Sequence, residues 1–202
     1  MEKILLYIKH HLRFLWDIIE WINGYIFSLL YRPGMEAVLP TVFKEAEKSS
    51  FIFRRLNLTD ADALYLLIKN QDEADLEYFS PHSFDLASII KQFRNRSFLM
   101  MGVFDAEKMI GYFFLRFFIN KKCFVGRLID KNYRGQGIGL IMNYIMYETS
   151  WRMKFRCLST ISRNNKNVMK AHAKNQSIRI LKELRNDYLL VEFVRDTPES
   201  AK

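Results

Sequence analysis

The sequence predicts a mixed α/β fold of the α+β type, in which a mostly antiparallel central sheet is flanked by helices and preceded by an amphipathic helix. The chain has 202 residues, of which 50% are hydrophobic and 26% are charged, so it is long enough for one well-formed core. From residue 51 onward, strand-like and helix-like segments alternate. Short polar turns at residues 105–108, 120–121 and 185–187 join neighbouring strand-like segments, which favours antiparallel hairpins.

The first fifty residues differ from the rest of the chain. Apolar and aromatic residues are dense from Ile4 to Tyr31, and polar residues interrupt them at steps of three or four, which predicts an amphipathic helix. The polar positions are Lys9, Arg13, Asp17, Glu20, Gly24 and Ser28. Pro33 and Gly34 are predicted to end this helix, and a short helix is predicted around residues 36–48. We therefore expect an N-terminal helical segment, residues 1–50, and a main domain, residues 51–202.

The wide apolar face of the N-terminal helix needs a partner. Its longest uncharged run, Trp21–Tyr31, is shorter than the roughly 20 apolar residues that cross a bilayer, and the segment lacks the small-residue cleavage site of a signal peptide. Three alternatives stay open for this face: the main domain, a second subunit in a homodimer, or a membrane interface, which its tryptophans and tyrosines suit. Because acidic and basic residues balance over residues 1–50, peripheral membrane binding is expected to be insensitive to salt.

The main domain is predicted to follow the order β-α-α-β-β-β-α-β-α-β-β. The predicted strands are Phe51–Leu56, Phe98–Phe104, Met109–Ile119, Lys122–Ile129, Cys157–Ser162, Ile178–Leu184 and Tyr188–Val194. The predicted helices begin near Asp60, Asp85, Gly137 and Lys166.

Charge and cysteine content limit the classes of ligand. Residues 121–185 contain fifteen Lys or Arg and three acidic residues, which indicates an anionic ligand such as a phosphorylated cofactor, a nucleotide-linked substrate or an acidic membrane. A nucleic acid is not expected, because no groove-reading or base-stacking motif is present. Cys123 and Cys157 lack metal-ligand spacing and lie in apolar segments, so we expect buried free thiols, no metal and a reducing, cytoplasmic setting.

A glycine-rich turn lies between a predicted strand and a predicted helix. It consists of Arg134, Gly135, Gln136, Gly137, Ile138 and Gly139. Glycines allow close approach of a ligand, and the first amide groups of a helix have no intrahelical partner and carry partial positive charge. A pyrophosphate suits both properties. The Lys-Ser/Thr ending of a P-loop and the last glycine of a dinucleotide fingerprint are both missing.

The segment Tyr133–Gly139, led in by a hydrophobic strand, resembles the coenzyme A motif of the GNAT superfamily, the Gcn5-related N-acetyltransferases. The element order agrees with that fold over about residues 51–195. The resemblance implies acetyl-CoA as co-substrate, bound through the amides of Arg134–Gly139, and direct acetyl transfer to a primary amine. It also implies that the backbone of Leu128 and Ile129 pairs with the pantetheine arm and that an amide there stabilises the thioester oxygen.

A second motif of this family aligns with residues 165–177. Asn165 and Lys174 agree with it, and Asn165 is expected either to contact the pantetheine or to cap the helix. Gln176 and Ser177 replace a Gly-Phe pair, which alters the turn after the helix. His172 replaces a tyrosine that often protonates the departing thiolate, and a histidine pKa near 6.5 suits this role. The alternative is that His172 is a surface histidine.

The acceptor side has no single obvious base. Glu77, His82 and Asp130 are the candidates, and residues 78–82 belong to a loop that shapes the acceptor pocket in this family. Arg116 and Arg127 interrupt apolar strands, so each either faces solvent or binds an anionic acceptor. We expect a small-molecule amine, with an amino-sugar intermediate favoured. The alternative is a non-catalytic module of the same fold that binds coenzyme A or another protein.

Overall fold

The computed structural model describes residues 13–47, 49–166, 168–169 and 177–195. Within these residues the strands are β1 (Ile52–Arg55), β2 (Phe98–Asp105), β3 (Lys108–Phe117), β4 (Lys122–Ile129), β5 (Arg156–Ser162), β6 (Ile178–Glu183) and β7 (Tyr188–Phe193). The α-helices are α1 (Arg13–Leu30), α2 (Arg32–Ala46), α3 (Ala61–Lys69), α4 (Glu73–Leu76), α5 (Leu86–Phe93) and α6 (Ile138–Arg152). Short 3-10 turns lie at Leu58–Asp60 and Lys131–Tyr133.

The described strands form one seven-stranded sheet in the order β1-β2-β3-β4-β5-β7-β6. Every neighbouring pair is antiparallel except β4 and β5, which are parallel. The parallel pairing covers only Lys122–Phe124 and Arg156–Leu158, although both strands continue beyond it. The two strands therefore diverge in the middle of the sheet. The predicted fold class, a mostly antiparallel sheet flanked by helices, is confirmed.

Helices cover both faces of the sheet and produce two apolar clusters. On one face, α1, α2 and α6 contribute Phe27, Val42 and Ile145 to a cluster with sheet residues such as Phe113. On the other face, α3 and α5 pack with Tyr112 and its neighbours. The first cluster contains residues from both sides of the expected boundary at residue 50, because α2 packs directly on α6.

One face of α1 is docked on the sheet. Phe27 is fully buried and stacks on Phe117, with ring centroids 4.8 Å apart. The side-chain amide of Asn23 donates to the carbonyl of Phe117 at 2.9 Å, and its oxygen accepts from the amide of Ile119 at 3.1 Å. This face of the helix therefore packs on the main domain, which is one of the three alternatives that the sequence left open. No described helix is long and apolar enough to cross a membrane.

The junction between the first two helices differs from the prediction. The first helix ends before Pro33 and Gly34, as predicted, but α2 already begins at Arg32 and not near residue 36, so only Tyr31 separates the two helices. Proline is tolerated here because the first turn of a helix does not use its amide hydrogens. The two predicted buried thiols are confirmed: Cys123 and Cys157 are register partners on β4 and β5, both buried and unbridged. Burial raises the pKa of the Cys157 thiol to about 12.

Candidate functional site

A cleft of about 210 Å³ opens where β4 and β5 diverge. The hydroxyl of Ser159 donates to the carbonyl of Val125 at 3.1 Å, just beyond the last paired residues of the two strands. The loop after α4 supplies one wall and α6 supplies the other. The lining residues include Tyr78, Phe79, Pro81, Gly126, Arg127, Asn143, Tyr147, Ser159, Ser162 and Asn165.

Backbone groups of β4 are available at this opening. The amide of Asp130 donates to the carbonyl of Ile110 at 2.9 Å, and in an antiparallel pair such hydrogen-bonded positions alternate along the strand. The N–H and C=O of Leu128 therefore point to β3, whereas those of Arg127 and Ile129 point to the opening. Leu128 and Ile129 were expected to pair with an extended ligand, but only the backbone of Ile129 faces the opening. The second residue whose backbone faces the opening is Arg127, not Leu128.

The glycine-rich turn follows β4 and leads into α6. Gly135 and Gly137 have φ angles of +80° and +79°, which disfavour a side chain, and the space next to each is open. Ile138 anchors the turn because its side chain is buried in the core beneath α6. No described residue accepts a hydrogen bond from the amides of Gly135–Gly139. The turn therefore presents a set of unpaired donors at the positive end of a helix dipole, which is suited to an anion.

Two arginines flank the turn, and they differ in pairing. Arg134 forms an ion pair with Asp75 of α4, with Nη2 and Oδ2 2.8 Å apart. Arg127 instead donates from Nε to the neutral side chain of Asn143 at 2.8 Å. Its Nη1 would lie 2.9 Å from a Cβ added at Gly139, so the guanidinium lies against the first turn of α6. Burial lowers the pKa of Arg127, and no described carboxylate pairs with it.

Comparisons with solved structures decide the fold, since no protein-family model and no curated protein matches this sequence. The PaiA N-acetyltransferase from Thermoplasma acidophilum, solved with coenzyme A, superposes with a TM-score of 0.61 at 15% identity, over 73% of this chain and 100% of that one. The GNAT domain of S. lividans PAT gives 0.59 at 12% identity, over 70% and 88%. An aminoglycoside acetyltransferase in complex with coenzyme A and kanamycin gives 0.55 at 12% identity, over 72% and 95%.

This chain has the GNAT fold. The resemblance predicted from Tyr133–Gly139 is confirmed at the level of the fold, because structures named as GNAT proteins superpose over 70% of the chain. In the GNAT fold of this protein, the glycine-rich turn lies at the end of the strand that borders the opening.

The predicted site residues of the GNAT fold separate into those at the cleft and those away from it. Arg127 and Asn165 line the cleft. The side-chain oxygen of Asn165 accepts from the amide of Val168 at 3.1 Å, which is the hydrogen bond expected of a helix cap. A contact with pantetheine stays a prediction. His172 lies outside the described residues, and its role stays a prediction.

Arg116 does not line the cleft. Its guanidinium forms an ion pair with Glu20 of α1, and both side chains are about four-fifths buried, at 22% and 21% exposure. The guanidinium also lies 5.5 Å from the ring of Phe118. Because its charge is paired with Glu20 and docks α1 on the sheet, Arg116 is not part of the proposed acceptor site.

The three candidate bases lie outside the cleft wall. His82 packs behind the loop, with Nδ1 2.8 Å from the carbonyl of Ser83 and Nε2 3.1 Å from the hydroxyl of Tyr112. Since the carbonyl can only accept, Nδ1 carries the proton and Nε2 accepts from Tyr112 in the neutral ring. Burial lowers the pKa of His82, which favours that neutral form. Asp130 accepts from the amide of Asn132 at 3.0 Å and shapes the turn.

Glu77 lies exposed on the loop, next to a residue that does line the cleft. Its carboxylate raises the pKa of the Tyr78 hydroxyl above its ordinary value. Tyr78 belongs to the loop that was expected to shape the acceptor pocket, whereas Asn143 and Ser159 were not predicted as cleft residues. Asn143 had one available signal, because it is an uncharged polar residue within the apolar run that begins α6.

Proposed function

We propose that this protein transfers an acetyl group from acetyl-CoA to a primary amine by direct attack. The observation that carries the proposal is the set of unpaired amides at Gly135–Gly139 beside the opening between β4 and β5. Phosphate groups suit the turn, and an extended arm suits the outward-facing N–H groups of Arg127 and Ile129. The carbonyl of Ile129 accepts from the guanidinium of Arg134 at 3.4 Å. The cofactors named with the superposed structures support the same ligand.

The proposed reaction needs no covalent intermediate with a side chain. The amine nitrogen attacks the thioester carbonyl carbon, a C–N bond forms, and the C–S bond breaks to release a thiolate. The backbone amides at the opening are donors for the carbonyl oxygen while it carries negative charge. The amine must lose one proton and the thiolate must gain one.

The described cleft wall contains no carboxylate and no histidine. We therefore propose that the amine loses its proton through water, with Glu77 and His82 as the candidate acceptors on the loop, and that the rate rises with pH as the free amine becomes more abundant. The acceptor we favour is an amino sugar, nucleotide-linked or lipid-linked, since residues 121–185 are strongly basic. The buried, unbridged cysteines support a reducing, cytoplasmic setting.

Thiol release from acetyl-CoA tests the proposal directly. The full chain is assayed with amino sugars, their nucleotide-linked forms, polyamines and peptides with free N-termini. Amine-dependent release of thiol is the expected result. Calorimetric binding of acetyl-CoA without thiol release from any amine would favour the alternative, a non-catalytic module of the same fold.

His172→Ala is expected to lower kcat by roughly 100-fold, the low end of the effect of losing a general acid. The KM for acetyl-CoA should change little, because the role concerns the leaving thiolate. His172→Tyr is the matched control and should restore most of the rate, since a tyrosine hydroxyl also donates a proton. Wild-type kcat in His172→Ala would show that water or another group protonates the thiolate.

Arg127→Met is expected to raise the KM for acetyl-CoA by roughly tenfold or more, the loss of one hydrogen bond to a charged group. The placement of Arg127 against Gly139 favours the cofactor phosphates over the acceptor as its anion. Initial rates measured at varied concentrations of acetyl-CoA and of acceptor show which of the two substrates has the raised KM. A raised KM for the acceptor alone would instead support the original expectation of an acceptor-binding Arg127.

A further inference from the structure

The outer face of α1 carries an exposed apolar stripe. We define the stripe as Phe14, Ile18, Trp21, Ile22, Tyr25 and Leu29, which recur at steps of three or four and so share one face of the helix. Phe14, Trp21 and Leu29 are 75%, 69% and 62% exposed. The stripe lies opposite the face that Asn23 and Phe27 dock on the sheet, so the described domain leaves it open to solvent. Contiguous apolar patches of this kind on a protein surface mark interaction sites.

Two arginines lie beside the stripe without a described carboxylate partner. A surface hollow of about 320 Å³ separates α1 from the end of α5. It is lined by Asp17, Glu20, Trp21, Gly24, Tyr25, Lys91, Gln92, Arg94, Asn95 and Arg96. Arg94 and Arg96 are exposed, and the guanidinium of Arg96 lies 5.9 Å from the ring of Tyr25.

The acidic residues of this surface are already neutralised. Asp17 forms an ion pair with Lys91 at 2.8 Å, and Glu20 forms one with Arg116. Arg94 and Arg96 therefore give the rim of the stripe a net positive charge. A second copy docked through the same surface would place like charges together, which disfavours a symmetric dimer.

We propose that the stripe and its two arginines dock the protein on the surface of an anionic phospholipid bilayer. The apolar side chains suit the acyl boundary, and Trp21 and Tyr25, whose rings stack 5.6 Å apart, suit the headgroup level. Arg94 and Arg96 suit the lipid phosphates. Because these arginines come from the main domain, binding is sensitive to salt, contrary to the expectation from residues 1–50 alone. The inference does not depend on the proposed acetyl transfer.

Co-sedimentation of the full chain with vesicles tests the docking. One set of vesicles contains only phosphatidylcholine, and the other also contains phosphatidylglycerol as the anionic lipid. We expect binding to the anionic vesicles that weakens at high salt. Trp21→Ser should abolish it, and the Arg94→Gln/Arg96→Gln double variant should weaken it by roughly 10- to 30-fold, as expected for two cations near the surface.

Leu66→Ser is the matched control, because Leu66 is also exposed, at 54%, but lies on α3. It should bind vesicles like the unchanged protein, and thermal unfolding should show that all variants are folded. Equal binding to both kinds of vesicle, or to neither, would overturn the proposal. So would light scattering that shows a dimer dissociated by Trp21→Ser, or a large loss of stability in that variant, which would indicate that the stripe is buried in the folded protein.

Discussion

Gly137→Glu is expected to fold normally and to lose acetyl-CoA binding. The residue has a φ angle of +79°, so a side chain costs about 1–2 kcal/mol of strain, within the roughly 5–15 kcal/mol stability of a typical domain. The new carboxylate would lie beside the unpaired amides that are proposed to bind the phosphates, and it would repel them. Several charge-assisted hydrogen bonds are lost together, so calorimetry should show affinity lowered by at least about 100-fold.

Gly137→Gln is the matched control for this substitution. It has the same size and the same backbone strain, but it carries no charge. Its affinity for acetyl-CoA should fall less than that of Gly137→Glu, while thermal unfolding of the two variants should agree. Unchanged affinity in Gly137→Glu would remove the turn from the proposed cofactor site, whatever the remaining activity.

The strands and the glycine-rich turn could be predicted because their signals are local. Alternation of apolar residues along β3 and β4 and the polar turns between them determine the hairpins. The Gly-x-Gly spacing after β4 requires a tight turn with positive φ, as observed at Gly135 and Gly137. The predicted and observed ends of the strands differ by no more than two residues. For example, β3 was predicted to end at Ile119 and ends at Phe117.

The partners of charged residues could not be predicted, because they lie far apart in the chain. The alternation of side chains along β3 predicted that Arg116 either faces solvent or binds a ligand. Its partner in the structure is Glu20, which lies 96 residues away in the sequence. Arg134 pairs with Asp75 on α4, a four-residue helix that is not among the predicted helices. Arg127 is directed toward Gly139 by the packing of α6 on β4, which no single segment encodes.

The N-terminal helix illustrates a different limit. Its sequence offered the main domain, a second subunit and a membrane as competing partners for one face. In the structure the helix has two apolar faces, a docked one around Phe27 and the outer stripe. Docking on the domain and binding of a further partner are therefore compatible, and deletion of residues 1–33 would remove both at once. Single substitutions on each face distinguish docking on the domain from binding of a further partner.

Phe27→Ala is expected to destabilise the protein by about 3–5 kcal/mol, the range for removing a fully buried phenylalanine. The ring is 0% exposed, stacks on Phe117 and meets the edge of Phe155, so its loss leaves a cavity beneath α1. Leu29→Ala is the matched control two residues away, on the stripe, where 62% exposure predicts a change within about 0.5 kcal/mol. Urea unfolding of both variants measures the difference as a shift of the midpoint. If Phe27→Ala were no less stable than Leu29→Ala, α1 would not belong to the folded core, and its inner and outer faces would be equally free.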